Sequence, residues 1–440
     1  MRKTPSIPAM TLLAGALLCM HAGAADLAQI YQQALGSDPL YTGARYTLAA
    51  GAEKVTQGRA GLLPTAAITG AYARSGDTMN NSVNSYALQL SQPLLRAANW
   101  ETYQQSKLLA AQSEAQFALA QQDLILRVSQ AYFDILAAQD ALAFLRAQEV
   151  AISEKLASAK RTFEVGTTTI TDTNEAQARY DLAVAQEIGA NNDLEVARSR
   201  LQQITGQLPP PLAILRKDVG LSQPEPAQMD PWIGSAERQN YTILSQQLAL
   251  EIAQRQIKIN RAGHYPTVDL VATRSRNTLN NVTGSPSTIA QSGTSNTNSI
   301  GVQWSIPLFS GFYVDSTVSE AIALADRSRS DLEYARRTAV LNARQAYLGV
   351  SNGLAQVKAL EAAEISSLSA LESNKLGYEV GVRINIDVLN AQQQLFATRR
   401  DLSKARYDTL MNGLKLKAAA GTLQEQDLVQ LNRLLTAPNS

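Results

Sequence analysis

Two spacings of hydrophobic residues divide this chain into two kinds of segment. The first is helical. Leu124, Val128, Ala131, Ile135, Ala138, Leu142 and Leu145 advance by steps of four and three, the seam of a coiled coil. Neither Gly nor Pro interrupts residues 100–165. The pattern predicts one helix from Trp100 to Val165, about 100 Å long at the helical rise. A counterpart runs from Val314 to Lys375, loosened by Gly349, Ser351 and Gly353. Gly166 and Gly381 follow these runs where a helix end favours a left-handed residue. Asp172 and Asp387 come next as candidate N-caps of returning helices that end near Gly206 and Gly421. Each long helix and its return form an αα-hairpin with the EVG motif at the tip.

The second spacing has period two. In "SIGVQWSIPLF", Ile300, Val302, Trp304 and Ile306 share one face, and Gly301, Gln303 and Ser305 the other. "SYALQLSQPLL" repeats the phrase upstream, with Tyr86, Leu88 and Leu90 against Ala87, Gln89 and Ser91. A further strand candidate precedes each, "TAAITGAYA" and "TVDLVATR". The four predicted strands lie near 65–76, 84–95, 266–276 and 298–309, the length of tilted membrane strands. Polar loops, "SGDTMNNSVNS" and "SRNTLNNVTGSPSTIAQSGTSNTNS", join them in pairs.

The echo extends further. "RAGLLPT" returns as "RAGHYPT", and "FEVGTTTITD" as "YEVGVRINID", in the same order. The mature chain thus reads as a tandem duplication, residues 26–221 and 222–440. A Pro-rich stretch, "TGQLPPPLAILRKDVGLSQPEPAQMDPW", links the halves. Short helices are expected at Asp26–Leu35, at Pro231–Arg238 and in the C-terminal "QEQDLVQLNRLL".

Composition adds the compartment. Arg2 and Lys3, the apolar "MTLLAGALLCM" and the small residues of "HAGAAD" have the order of a secretory signal over residues 1–25. The one cysteine, Cys19, lies inside it, with Leu18 where a lipoprotein signal carries a small residue. The mature chain therefore has no thiol, which excludes disulfides, thiolate metal sites and cysteine nucleophiles. Its 37 basic and 38 acidic residues, once Arg2 and Lys3 are removed, are balanced, so nucleic acid is not an expected partner. His264 is the one histidine of the mature chain, a poor metal or catalytic candidate without a His or Cys partner. No phosphate-binding Gly loop is found, and the carboxylates are scattered along helices, so neither a cofactor nor an enzymatic activity is expected.

Four membrane-length strands cannot close a barrel, because single-chain barrels begin at about eight. An open edge in lipid leaves backbone groups unpaired at several kcal/mol each. A barrel shared among copies resolves this. Trp100, Tyr86, Trp304, Phe309, Phe312 and Tyr313, near the strand ends, suit a membrane interface. The competing picture is a surface or periplasmic coiled-coil structural protein, an adhesin. It leaves the face of Leu88, Leu90, Val302 and Trp304 unexplained.

The strings "LGYEVGVRINIDVLNAQ", "KARYDTL", "AAAGTLQEQDLVQLN" and "YQQALGSDP" carry a resemblance to a known family. The chain resembles the TolC family of outer-membrane channel proteins over essentially its whole mature length. The resemblance implies a homotrimer, each chain giving four strands to one 12-stranded β-barrel that continues as an α-helical tunnel in the periplasm. It implies a passive exit duct for drug efflux pumps and type I secretion, with a periplasmic adaptor (membrane fusion) protein and an inner-membrane efflux or ABC transporter as partners. It also implies a gate. Thr171, Asp172, Tyr378 and Arg383 match positions whose network holds the tunnel tip closed, although spacing alone allows Asp172 and Asp387 to be mere helix caps. Asp387 matches a cation-selective ring at the constriction. Asn390 stands where the family pattern has a second Asp, which implies weaker cation binding there.

Overall fold

The computed structural model describes residues 24–74, 82–167, 169–216, 219–282 and 291–436. Residues 1–23 of the expected signal peptide fall outside the described residues. In chain order the elements are α1 (Leu27–Ser37), α2 (Pro39–Ala60), β1 (Thr65–Arg74), β2 (Ser82–Leu95), α3 (Ala97–Glu164), α4 (Ile170–Thr205), β3 (Ile214–Leu215), α5 (Met229–Gln239), α6 (Tyr241–Arg261), β4 (Thr267–Val282), β5 (Gln291–Ser305), α7 (Tyr313–Glu379), α8 (Asn385–Ala419), α9 (Glu425–Asn432) and β6 (Leu435–Thr436). The order helix, helix, strand, strand, long helix, return helix occurs twice, so the fold is a two-repeat one.

The long helices α3 and α7, with 68 and 67 residues, extend roughly 100 Å each. Helices α2 and α6 were not legible in the sequence. They carry little apolar periodicity, and α2 contains Gly43, Gly51 and Gly58, residues of low helix propensity. Two of these glycines instead form a packing seam. A Cβ added at Gly51 or Gly58 would fall 2.2 Å from the hydroxyl oxygen of Ser113 or Ser106 on α3, so only a bare backbone approaches that closely. In the second repeat the seam lies elsewhere. Gly349 and Gly353 of α7 meet Asn412 and Thr409 of α8.

The largest core lies partway along the helices, where α1 and α9 meet α3, α4 and α8. Leu27, Ile30 and Tyr31 of α1 pack with Leu124, Val128 and Tyr132 of α3, Leu201 of α4, Tyr407 and Met411 of α8, and Leu428 of α9. Strands β3 and β6 pair beside this core, and the Tyr31 hydroxyl donates to Glu425 at 3.0 Å. Away from it the helices touch through small clusters, such as Ile152, Ala183 and Leu389. These narrow seams suit the Ala-rich composition.

The four long strands form one antiparallel sheet in the order β1-β2-β4-β5. The repeats meet through β2 and β4. Register places Ile68, Leu88 and Arg274 in one row ending at Asn298, and Leu90, Ala272 and Ile300 in the next. Leu270 pairs with Val302, and Val268 with Trp304. One face is thus an apolar band and the other carries Gln89, Ser91, Thr273 and Ser299. Ile300, Val302 and Trp304 are 76%, 58% and 68% exposed in the single chain. Arg96, before α3, grips Asp269 of β4 through two hydrogen bonds of 2.9 and 2.6 Å, tying the first repeat's strand–helix junction to the second repeat's sheet.

The strand bounds differ from expectation in the second hairpin. β4 and β5 run into the polar segment read as loop, because cross-strand ladder bonds continue through Asn277, Thr278, Thr294 and Ser295 without apolar side chains. β5 stops at Ser305, opposite Thr267, the first residue of its partner β4. No helix among the described residues is long and apolar enough to cross a membrane, which leaves the sheet's role untouched.

Candidate functional site: the hairpin tips

At the first tip, Gly166 adopts φ +76°. The amide of Thr167 donates to the carbonyl of Thr162 at 2.9 Å, closing the end of α3. The N-cap of α4 is Thr169. Its hydroxyl accepts from the Asp172 amide at 3.3 Å, and the Asp172 carboxylate accepts from the Thr169 amide at 3.2 Å. Asp172 is therefore the third residue of a capping box, not the N-cap expected from spacing. Thr171 lies in the first turn of α4, exposed.

The second tip is built differently. Gly381 has φ +79°, and Val382 and Arg383 both donate their amides to the Gly377 carbonyl, at 2.9 and 3.0 Å. Ile384 occupies the N-cap and supplies no side-chain bond. Asp387 sits in the first turn of α8, where the helix dipole favours an anion. It too is not the cap. An Arg383 Nη lies 3.7 Å from its carboxylate.

Among the described residues, three contacts join the hairpins to each other here. The Lys155 ammonium of α3 lies 5.3 Å from the ring centre of Tyr378, a cation–π distance. Ile152 of α3 and Ala183 of α4 pack on Leu389 of α8, with Tyr180 alongside. Arg179 of α4 donates from one Nη to Gln393 at 2.7 Å and from the other to Asn390 at 2.8 Å. Sequence reading missed both Lys155 and Arg179, because neither lies in a motif and each acts across the fold. Within one chain, no hydrogen bond or ion pair among the described residues joins Thr171 or Asp172 to Tyr378 or Arg383. The Tyr378 ring is half-buried against Leu371, Val388 and Leu395.

Buried ionisable groups lie above the tip. Burial pushes the Asp140 carboxyl above its ordinary range despite hydrogen bonds from Tyr407 and Ser403, and burial likewise raises the Tyr407 phenol. The Tyr407 hydroxyl donates to Asp140 at 2.8 Å. His264 stands beside Asp315, 3.5 Å away and exposed. No group of acidic, His or Cys residues suited to a metal ion occurs among the described residues.

Long paired hairpins beneath a four-stranded sheet make up the described architecture. The solved structures of VceC from Vibrio cholerae and the CmeC outer membrane channel from Campylobacter jejuni share this fold. Their TM-scores are 0.76 and 0.77 at 18% identity, and the alignments cover 90% and 93% of this chain and 96% and 90% of theirs. Residues 30–207 and 232–422 match the outer membrane efflux protein family, and the chain belongs to that family. It is 32% identical to the outer membrane protein TolC of Escherichia coli, over 95% of this chain and 86% of that protein. TolC of Vibrio cholerae is 34% identical over 93% of each chain. The proteases secretion protein PrtF of Dickeya chrysanthemi is 33% identical over 93% of this chain and 91% of its own. The protein is an outer-membrane exit duct whose helical part extends into the periplasm.

Proposed function

We propose that three copies of this chain close one 12-stranded barrel and continue it as a helical tunnel, gated at the hairpin tips. The observation that carries this reading is the open sheet. β1 and β5 are its outer strands, and one of its faces presents Ile68, Leu88, Ile300, Val302 and Trp304 uncovered. Edges and face are satisfied together when β1 of one copy pairs with β5 of the next in lipid. The duct receives cargo from an inner-membrane transporter through a periplasmic adaptor. Relatives whose names record protease secretion, PrtF and AprF, and efflux, BepC, support drugs or secreted proteins as that cargo.

The gate reading assigns Thr171, Asp172, Tyr378 and Arg383 to contacts that hold the tips together, with Asp387 at the constriction. Among the described residues, Asp172 and Arg383 have only local partners within one chain, which supports their facing a neighbouring copy. Purified protein reconstituted in planar bilayers tests this. Tyr378→Phe combined with Arg383→Ser should conduct several times more than the parent. Unchanged conductance from intact trimers would remove these residues from the gate. A protein that is monomeric in detergent and absent from the outer-membrane fraction would refute the shared barrel.

A further inference from the structure

Asp387, Asn390 and Gln393 recur every third residue along one side of α8. Two guanidiniums attend this side. Arg383 approaches Asp387 from the tip end, at 3.7 Å. Arg179 arrives from α4 and spans a helical turn, with one Nη on Asn390 and the other on Gln393. Asn390 thus already spends its carbonyl oxygen on a cation of its own chain. Each chain brings two guanidiniums and the Asp387 carboxylate to this side of α8. Glu175 stands one turn before Arg179 on α4, exposed, but no carboxylate among the described residues forms an ion pair with Arg179, so no short contact cancels its charge.

We infer that Arg179 sets the charge of the constriction, offsetting Asp387 and making the tip weakly selective or anion-preferring, while its fork straps α4 to α8. The inference rests on the reading of Asp387 as the narrow point. It has a counter-intuitive consequence. A carboxylate introduced at 390 would meet the Arg179 guanidinium at hydrogen-bond distance and form a salt bridge, rather than add a ring of free negative charge. The strap would tighten, and an entering cation would gain little.

The test is a four-protein cycle of the full-length protein in planar bilayers: the parent, Asn390→Asp, Arg179→Gln, and both together. Reversal potential in a KCl gradient reports selectivity, and La3+ added on the periplasmic side reports block. Parent and Asn390→Asp should be blocked at similar La3+ concentrations and show weak or anion-favouring selectivity. Arg179→Gln should shift the reversal potential toward cations and lower the half-blocking concentration at least about tenfold, because one charge per chain, three around the largely aqueous mouth, is removed beside a trivalent ion. The double variant should be blocked most strongly, beyond the sum of the single logarithmic shifts. Arg179→Lys keeps the charge without the fork, so it should retain the parent's selectivity while its closed level opens more often. If Asn390→Asp alone reaches the block of the double variant, or Arg179→Gln retains the parent's reversal potential, the inference fails. A parent that forms no channels would instead refute the duct reading itself.

Discussion

The elbows where a short helix turns into the next are built alike in the two repeats and held differently. In the first, Asp38 links α1 to α2. It is 2% exposed, caps α2 by accepting from the Tyr41 amide at 2.9 Å, and accepts from both Nη of Arg127 on α3 at 3.2 and 2.8 Å. In the second, Asn240 links α5 to α6. It accepts from the Thr242 amide at 2.9 Å and donates to the carbonyl of Ala419 at 2.9 Å. One elbow rests on a buried ion pair and the other on a neutral amide. The difference follows from what the neighbouring helix offers: a guanidinium from α3 in one case, the unpaired backbone at the C-terminus of α8 in the other. A duplicated chain can therefore keep a turn's geometry while changing the chemistry that stabilises it.

The largest way to break this comparison is at Asp38. Asp38→Ala removes a cap and one of the two carboxylates on Arg127, which keeps Asp123 at 2.6 Å, a loss of about 2–4 kcal/mol for the cap and the charge-assisted bonds together. Asn240→Ala should lose about 1–2 kcal/mol, the worth of a cap with one added bond. Denaturant unfolding of the two variants should show this order. Equal losses would mean that the ion pair contributes no more than the amide.

The two strand hairpins allow a second contrast. Val302 lies within the apolar band, between Ile300 and Trp304, whereas Leu88 pairs directly with Arg274. Val302→Arg should cost about 2–4 kcal/mol, and Leu88→Arg, beside an existing cation near the band's polar edge, about 1 kcal/mol or less. Gln303→Arg, on the opposite face, should insert nearly as well as the parent. The yield of assembled protein in outer membranes measures all three. A Leu88→Arg defect as severe as that of Val302→Arg would move the band's boundary toward the loops.

The smallest expected effect is acid sensitivity confined to the first elbow. Burial pushes the Asp38 carboxyl upward, but the hydrogen bonds from Arg127 and Tyr41 and the Arg127 charge outweigh it and leave the group below its ordinary range. A carboxylate with a depressed folded value contributes stability above the ordinary carboxylate range. That contribution is lost as pH falls through the folded value. Amides at the start of α2 should therefore exchange faster with solvent under acid. Those at the start of α6, capped by non-titrating Asn240, should not follow at that pH. Parallel acceleration would assign the loosening to the whole molecule.

Much of the architecture was legible because it is local. Coiled-coil spacing marked α3, the duplication marked its counterpart α7, glycines marked both tips, and alternation marked the strands, since helix and strand periods are properties of consecutive residues. The family resemblance carried the duct and its gate positions. The extent of β4 and β5 was missed because ladder bonds need no hydrophobic pattern. Helices α2 and α6 were missed because they carry little pattern, and the glycines of α2 matter only against the serines of α3.

By itself, the sequence determined the two-repeat plan, the hairpins with their glycine turns, and the apolar and polar faces of the strands. Tertiary structure decided which groups meet: β2 beside β4, Asp269 on Arg96, Asp38 on Arg127, Lys155 over Tyr378, and Arg179 on Asn390 and Gln393. Each of these pairs is separated by tens to hundreds of positions along the chain. Backbone stereochemistry governs only near neighbours, whereas a contact between distant residues exists only once packed helices bring two surfaces to hydrogen-bond distance.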